Sequence, residues 1–471
     1  TITWDQAFDE IIKGGDLFGE GHVDGLAACR DLKTPIDPEA PELGPKANQV
    51  VFMPGRIQHG KKEFTDRFFR DSYGTINFRM DHTAICETSH HVGIKLCTDG
   101  STHFKPDIMN ARYIIFFGTT PYEANFPMQP LARKLNSFRE RGGKLVIVDP
   151  RFSNSAAKAS EWIPVLPGTD AAFALGMMRW MMDNDRVDKK YLSYPNQKAA
   201  ETDGQLTWTN ATYLVRQDNR KFLRLADAKL PGDDKLPGDS KLPGTEQGFV
   251  VWKEGAPHDN RTVTSADLEY SGSVNGIPVK TAFTMLKERV FERTVKQCAE
   301  ICGIDPAVIE RAASDFTSVG RQAVADFYRG AVQHTNGTYN ARTLTNLNFL
   351  IGNVSWKGGC EAHGGSHWHE MGGQPANPNN LAKLHPGPVK ATGIPIDRNK
   401  HNYEESTEFK KNGYPAKRPW YPFAFDYVYH EVFPSIGAKY PYPTKILITY
   451  WNNVTYSAPA GTKLAAGVID P

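Results

Sequence analysis

The apolar positions between residues 81 and 316 alternate between short runs of strand length and longer stretches with helical spacing. The run Tyr113–Phe117 is β-branched and aromatic and is followed by a glycine, which is typical of a buried strand. The next segment has apolar residues at Leu131, Leu135 and Phe138, which share one face of a helix. The alternation continues through Leu145–Val148, Trp162–Val165 and Ala171–Asp183. This order predicts an α/β fold with mostly parallel sheets flanked by helices.

The segment 204–280 interrupts the alternation. A Lys-Leu-Pro-Gly-Asp unit at 229–233 recurs at 235–239 and, without its last residue, at 241–244. Pro-Gly turns and alternating charge disfavour regular structure, so we predict an exposed, irregular insertion here. Regular patterns resume after it, with a predicted strand at Ala323–Phe327 and a last one at Lys445–Trp451.

Composition excludes several classes of protein. The 471 residues are 40% hydrophobic and 23% charged, with a formal net charge of +2, so no basic field is available for nucleic acid or anionic lipid. No apolar run approaches the ~20 residues that cross a bilayer. The six cysteines contain no C-x-x-C pair, which argues against a disulfide scaffold, a zinc ribbon and a local iron–sulfur site.

Three predicted strands end in turns that suit a phosphorylated ligand, because ligands of open parallel sheets bind beyond the carboxyl ends of the strands. These turns are Gly118–Pro121, Asp149–Arg151 and Pro167–Asp170. Arg151 can pair with a phosphate through two hydrogen bonds. Asp170 precedes a helix, so it is either an N-cap or a carboxylate that accepts hydrogen bonds from a guanine edge. No strand is followed by G-x-G-x-x-G, which argues against a nicotinamide or flavin cofactor.

The segment 83–93 places the thiol of Cys86, the hydroxyl of Ser89 and the imidazoles of His90 and His91 within six residues. One interpretation is a buried cysteine beside a polar turn. The other is a soft thiolate that binds a metal, or a nucleophile that a histidine activates. A second histidine group, His363, His367 and His369, lies in a glycine-rich loop and is a weaker candidate for zinc.

Taken together, these segments resemble the dimethyl sulfoxide reductase family of molybdopterin oxidoreductases. The matching stretches occur in the family's order and are Ile2–Ala7, Cys86–Gly93, Gly118–Pro127, Gly143–Arg151, Trp162–Ala172, Gly330–Gly337 and Asn346–Gly359. The resemblance implies a molybdenum held by a bis(molybdopterin guanine dinucleotide) cofactor, with Cys86 as the protein ligand to the metal. It also makes Ser89, His90 and His91 candidates for contact with the substrate.

The resemblance divides the other site residues between two dinucleotides. The first would be lined by Gly118, Thr119 and Glu123, with Asp149, Arg151, Gly168 and Asp170 at its phosphates and guanine. The second would lie near Gly330, Gln333, His334 and Thr335, on a separate domain. The implied domains are interleaved: residues 81–316 form an inserted Rossmann-like domain, and 1–80 with 317–471 form a discontinuous α/β domain.

Two modules of such enzymes are expected to lie outside this sequence: an N-terminal module with a [4Fe–4S] cluster and a β-rich C-terminal domain. The implied partners are two further subunits, one an iron–sulfur electron-transfer protein and the other a quinol-oxidising membrane protein. The implied location is the periplasm, or the extracytoplasmic face of the cytoplasmic membrane.

Within the family the chain is most similar to tetrathionate reductase large subunits, on residues 206–213, 418–422 and 440–443. The implied reaction is the two-electron reduction of tetrathionate to thiosulfate in anaerobic respiration. Reduction of thiosulfate, polysulfide or arsenate stays open, and so does a non-catalytic scaffold made of a truncated chain.

Overall fold

In the computed structural model the chain forms two compact units, each with its own core. Unit 1 is Thr1–Thr88 with Gly365–Pro471, and unit 2 is Ser89–Gly364. The structure describes all residues except 18, 20, 56, 58–60, 81, 82, 99, 125–127, 232–247, 363–387, 425, 426, 459, 470 and 471. Side chains at 83–87, 128–130, 362, 467 and 469 are also outside this description.

The strands are short, and the predicted runs at 113, 145 and 323 become fully buried strands. In chain order they are β1 (Gly14–Gly15), β2 (Val23–Asp24), β3 (Val50–Pro54), β4 (Phe104–Pro106), β5 (Tyr113–Phe117), β6 (Lys144–Val148), β7 (Glu161–Ile163), β8 (Leu214–Arg216), β9 (Val250–Lys253), β10 (Ala256–Asp259), β11 (Ser271–Val274), β12 (Ile277–Thr281), β13 (Ala323–Phe327), β14 (Cys360–Ala362) and β15 (Ile446–Tyr450).

The α-helices alternate with these strands in unit 2 and cluster at the two ends of the chain in unit 1. They are α1 (Trp4–Lys13), α2 (Leu26–Cys29), α3 (Lys61–Asp66), α4 (Thr83–Lys95), α5 (Met128–Glu140), α6 (Asn154–Lys158), α7 (Asp170–Asp183), α8 (Lys189–Leu192), α9 (Gln197–Thr202), α10 (Leu225–Ala228), α11 (Ala282–Phe291), α12 (Val295–Cys302), α13 (Pro306–Ser318), α14 (Arg329–Val332), α15 (Gly337–Leu350), α16 (Thr407–Asn412), α17 (Val432–Gly437), α18 (Val454–Ser457) and α19 (Gly461–Ile469).

The central sheet of unit 2 is parallel and has the strand order β13-β5-β6-β7. Its strands are buried because helices cover them, and α7 packs against α12, α13 and α15. The chain leaves β5 towards β6 and β7 on one side, while β13 lies on the other side of β5. The strand order therefore reverses between β5 and β13, and such a switch point opens a crevice at the carboxyl ends of the strands.

The α/β fold class is confirmed, but two boundaries differ from the sequence interpretation. The structure places the unit boundaries at 88–89 and 364–365, where we expected 80–81 and 316–317. The second boundary moves because β13 pairs with β5 over all five of its residues, which holds the segment after 317 in unit 2. Sequence periodicity does not reveal such a pairing between distant strands.

The segment 204–280 is also more regular than expected. Strands β11, β12 and β8 form an antiparallel sheet, and β9 and β10 form a hairpin. Leu214, Leu223 and Val250 form part of a small core beneath them. Most of the Lys-Leu-Pro-Gly-Asp repeat lies outside the described residues, so its predicted irregular structure stays a prediction.

Unit 1 has a separate core around the parallel pair β3 and β15. Near it lies Arg398, whose side chain is 0% exposed and donates to Glu431 Oε2 over 2.7 Å and to Ser435 Oγ over 2.8 Å. A buried guanidinium needs such partners because its desolvation is costly. No helix among the described residues is long and apolar enough to cross a membrane.

The neighbouring carboxyl of Asp397 is expected to make unit 1 less stable as pH rises. Burial raises the pKa of Asp397 from 3.8 to about 6, although it accepts hydrogen bonds from the N–H groups of Val428 and Asn399. The folded state therefore binds this proton more tightly than the unfolded state does. The stabilisation is complete below about pH 4 and is lost as pH rises through 6, with a total of about 3 kcal/mol.

Denaturant titrations of wild type and Asp397→Asn at about pH 4 and about pH 7 test this linkage. Asparagine does not titrate, so its stability relative to wild type should improve at the higher pH by up to about 3 kcal/mol. Asp183→Asn is the matched control, because Asp183 is half exposed and lies in unit 2. A difference between Asp397→Asn and wild type that stays constant with pH would contradict the prediction.

Candidate functional site

The carboxyl ends of β5, β6, β7 and β13 bring the predicted turns to one edge of the central sheet. Gly118 follows β5, Asp149 follows β6, and Gly168 follows β7. Gly330 follows β13, so it lies at this same edge in unit 2. The expectation that Gly330, Gln333, His334 and Thr335 occupy a separate domain is therefore wrong, because β13 is the direct neighbour of β5.

Gly118 and Gly330 form a backbone-to-backbone contact at the switch point. The N–H of Gly330 donates to the carbonyl of Gly118 over 2.8 Å. A Cβ at Gly118 would lie 2.2 Å from the nitrogen of Ala331, and one at Gly330 would lie 2.5 Å from the oxygen of Gly118. Gly118 also has a φ of +54°, which a side chain disfavours. Only glycine fits at these two positions, and Thr119 beside them is buried.

The loops after β5 and β6 are joined by an ion pair. Arg151 Nη2 lies 3.1 Å from Glu123 Oε2, and the other oxygen of Glu123 accepts from the N–H of Asn154. Asp149 Oδ1 accepts from the N–H of Arg151 over 2.8 Å, which shapes the turn. The Arg151 side chain is 70% exposed, so its guanidinium can exchange the carboxylate of Glu123 for a phosphate at low cost.

Asp170 is the first residue of α7, and the N-cap is Thr169, so the N-cap interpretation of Asp170 is wrong. The carboxyl is 5% exposed, and burial raises its pKa, with a smaller lowering by His334 and a further rise from Asp149. Gly168, with a φ of +79°, has open space on the side where a Cβ would project. A buried carboxyl acceptor beside open space suits a ligand that carries N–H donors.

His334 is held by the backbone around it. Its Nδ1 accepts from the N–H of Asn336 over 3.3 Å, and its Nε2 lies 3.0 Å from the carbonyl oxygen of Ala331. Asn340, 2% exposed, donates to the same carbonyl and was not anticipated from the sequence. These bonds fix the turn that leads into α15. Gln333 and Thr335 are exposed on this turn.

Cys86 and Ser89 lie on α4, which extends from Thr83 to Lys95. The Cys86 side chain is outside the described residues, so its role as metal ligand stays a prediction. Burial raises the thiol pKa of each cysteine whose side chain is described, which favours the protonated form and a place in the core. These are Cys29, Cys97, Cys298, Cys302 and Cys360. His363, His367 and His369 lie outside the described residues.

His90 and His91 are buried, at 1% and 6% exposure, and the structure brings His103 to them from the loop before β4. Nearby, Lys105 on β4 lies 3.6 Å from Asp326 at the end of β13. His103, Lys105 and Asp326 were missed by sequence reasoning, because they come from separate segments and none belongs to a recognisable motif.

Comparison with known proteins agrees with this geometry. The molybdopterin oxidoreductase family model matches residues 40–411. A selenate reductase subunit of Mesobacillus selenatarsenatis is 37% identical over 98% of this chain and 48% of its own length. A tetrathionate reductase subunit of Salmonella typhimurium is 37% identical over 97% of this chain and 45% of its own, and one of Archaeoglobus fulgidus is 34% identical over 91% and 37%.

The chain thus spans about half the length, or less, of the curated relatives that it matches. Among solved structures, acetylene hydratase from Pelobacter acetylenicus has a similar fold, with a TM-score of 0.54 and 17% identity over 99% of this chain and 48% of the other. The family match covers most of the sequence, and the sheet edge carries the turns that the resemblance predicted. The chain therefore belongs to the molybdopterin oxidoreductases, in the dimethyl sulfoxide reductase family.

Proposed function

We propose that the full-length protein is a molybdenum-dependent reductase of a dianionic oxyanion, and that this oxyanion is tetrathionate. The observation that carries the proposal is the switch-point crevice of unit 2, where Gly118 and Gly330 meet backbone to backbone. The selenate reductase and tetrathionate reductase relatives, each 37% identical, supply the class of substrate. The proposed cofactor is bis(molybdopterin guanine dinucleotide) molybdenum, with a [4Fe–4S] cluster in an N-terminal module.

The residues at the sheet edge fit the guanine dinucleotide form of the cofactor. The buried carboxyl of Asp170 can accept the N–H donors of a guanine edge, and open space lies beside Gly168. Arg151, held by Glu123 and exposed, would exchange its carboxylate partner for a phosphate. The residues at the end of β13 would contact the same cofactor assembly, because that strand is the neighbour of β5.

When bound, the molybdenum centre supplies the two-electron chemistry. The protein residues bind and orient the cofactor and the substrate. Cys86 would hold the metal, and Ser89, three residues later on α4 and partly exposed, would donate a hydrogen bond to the substrate. His90 and His91 are buried against Phe327, Tyr328 and His103, which favours a supporting role over direct contact with the substrate.

Proton balance separates the two leading substrates. Tetrathionate takes two electrons, its central S–S bond breaks, and two thiosulfate dianions leave without a proton. Selenate takes two electrons and two protons, one Se–O bond breaks, and selenite and water leave. Selenate is the second candidate because a selenate reductase subunit matches 98% of this chain at 37% identity.

The proposal also includes two partner subunits, an iron–sulfur electron-transfer protein and a quinol-oxidising membrane protein. The proposed location is extracytoplasmic.

A dye assay on the full-length protein tests the substrate. Reduced viologen carries electrons without protons, so tetrathionate should oxidise it with no net proton uptake and with two thiosulfates formed per tetrathionate. We expect kcat/KM for tetrathionate to exceed that for selenate and arsenate by at least about tenfold. Faster selenate turnover with proton uptake would replace tetrathionate by the second candidate. Activity with neither anion, in a molybdenum-replete protein, would overturn the class of reaction.

A further inference from the structure

Three imidazoles converge inside unit 2, on the side of the central sheet where β13 ends. The histidine triad consists of His90 and His91 on α4 and His103 before β4. One ring nitrogen from each lies within 4.8 Å of those of the other two. The ring centroids are separated by 4.7 Å for His91 and His103 and by 5.2 Å for His90 and His103. Two segments of the chain are thus folded so that three imidazole nitrogens lie close together.

The closest pair in the triad already has the spacing of metal ligands. His91 Nε2 and His103 Nε2 are 3.3 Å apart. Two nitrogens on a tetrahedral zinc, with bonds of about 2.0–2.1 Å, are separated by about 3.3–3.4 Å. The distance from the third nitrogen to each of the other two must shorten by at most about 1.5 Å to reach the same spacing, and a ring rotation can move the atom on this scale. The distance between the two nitrogens of this pair is therefore already that of two ligands on one zinc ion.

His103 also has the outer contact that metal-binding histidines usually have. Its Nδ1 lies 3.1 Å from the hydroxyl of Thr102, so Nε2 is the nitrogen directed at His91. When Nδ1 donates to this hydroxyl, the ring is held in the tautomer whose Nε2 can bind a cation. The hydroxyl of Ser101 donates to the carbonyl of His103 over 3.1 Å and holds the loop in place.

The surroundings of the triad contain one acidic side chain, Asp326, which is paired with Lys105, and two aromatic rings. Asp326 is 4% exposed, lies 3.6 Å from Lys105 and interacts electrostatically with His103. The rings of Phe327 and Tyr328 lie 5.1 Å and 5.6 Å from that of His90. A divalent cation in this setting would take the three neutral imidazoles as its direct ligands.

We propose that the histidine triad binds one divalent transition-metal ion of the class that prefers imidazole, with zinc as the occupant. Imidazole is a preferred ligand of zinc, and three protein ligands leave a fourth position for water. The ion would fasten α4, which carries Cys86, to the loop before β4. This site does not depend on the substrate proposed above, because its occupancy is measured as metal content and not as turnover.

The test uses the full-length protein, purified without a histidine tag and dialysed against metal-free buffer after incubation with zinc chloride. Elemental analysis should find about one zinc per chain besides molybdenum. His103→Gln should lower the zinc to background, because glutamine keeps the volume but not the imidazole, and molybdenum should be unchanged. His258→Gln, at a partly exposed histidine of β10, is the matched control and should keep the zinc.

Cobalt provides a second measurement that does not require the variant to fold as well as wild type. Wild type incubated with cobalt chloride should show the visible absorption of a tetrahedral site, and zinc should displace it. Wild type that retains no zinc and develops no cobalt absorption would overturn the proposal, leaving the triad as hydrogen-bonded core histidines. Equal zinc in wild type and in a folded His103→Gln variant would overturn it as well.

Discussion

Replacing Cys86 with alanine in the full-length protein is expected to lower reductase activity by more than about 100-fold and to change the electron paramagnetic resonance spectrum of molybdenum. Cys86, the proposed protein ligand to the metal, is the cysteine of α4. A thiolate is a soft ligand that donates charge to the metal, and alanine offers no replacement. The dye assay and the spectrum of the same preparation measure the two effects.

Cys97→Ala is the matched control, because Cys97 lies eleven residues further along the same segment. Burial raises the pKa of Cys97, and its Sγ lies 4.0 Å from the carbonyl oxygen of Arg342. It is therefore a protonated thiol in a packing role, and its loss should leave activity and the molybdenum spectrum unchanged. A Cys86→Ala enzyme that keeps both its rate and its spectrum would mean that another group holds the metal.

The sequence reveals the parts of the fold in which a run of adjacent residues is buried together. Tyr113–Phe117 and Ala323–Phe327 are strands over the same residues that their apolar runs indicate, because every side chain of these strands is buried. Cys298 and Cys302, four residues apart on α12, are both 0% exposed, as their spacing on one face of a helix indicates. The sequence pattern does not predict which strand pairs with which. The pairing of β13 with β5 joins residues about two hundred positions apart, and periodicity carries no information on it.

The strands inside 204–280 were missed although one signal for them is present. Asn275 and Gly276 connect β11 to β12 with φ values of 48° and 78°, and Asn-Gly between two strand-like runs is a strong hairpin signal. The repeated Pro-Gly turns nearby directed the interpretation towards irregular structure. The histidine triad is harder to foresee, because His103 becomes a neighbour of His91 only when the loop before β4 folds against α4.

Gly118→Ala is expected to lower the free energy of unfolding of unit 2 by about 2–4 kcal/mol and to deplete the protein of molybdenum and guanine nucleotide. Two costs combine at this position. A φ of +54° is unfavourable for a residue with a Cβ, and that Cβ would lie 2.2 Å from the nitrogen of Ala331. Relief of this clash would push the loops after β5 and β13 apart, which distorts the proposed cofactor crevice. Denaturant titration and elemental analysis measure the two losses.

Two further glycines separate these costs. Gly142 has a φ of +81° and nothing within 4 Å of an added Cβ, so Gly142→Ala carries the backbone cost alone, about 1 kcal/mol, and should keep the cofactor. Gly330 has no positive φ, but its Cβ would lie 2.5 Å from the oxygen of Gly118, so Gly330→Ala carries the contact cost of about 1–3 kcal/mol and should lose cofactor. Because a side chain on either member separates the same two loops, the cofactor content of Gly118→Ala should follow that of Gly330→Ala. If the cofactor content of Gly118→Ala follows that of Gly142→Ala instead, the contact between Gly118 and Gly330 does not shape the crevice.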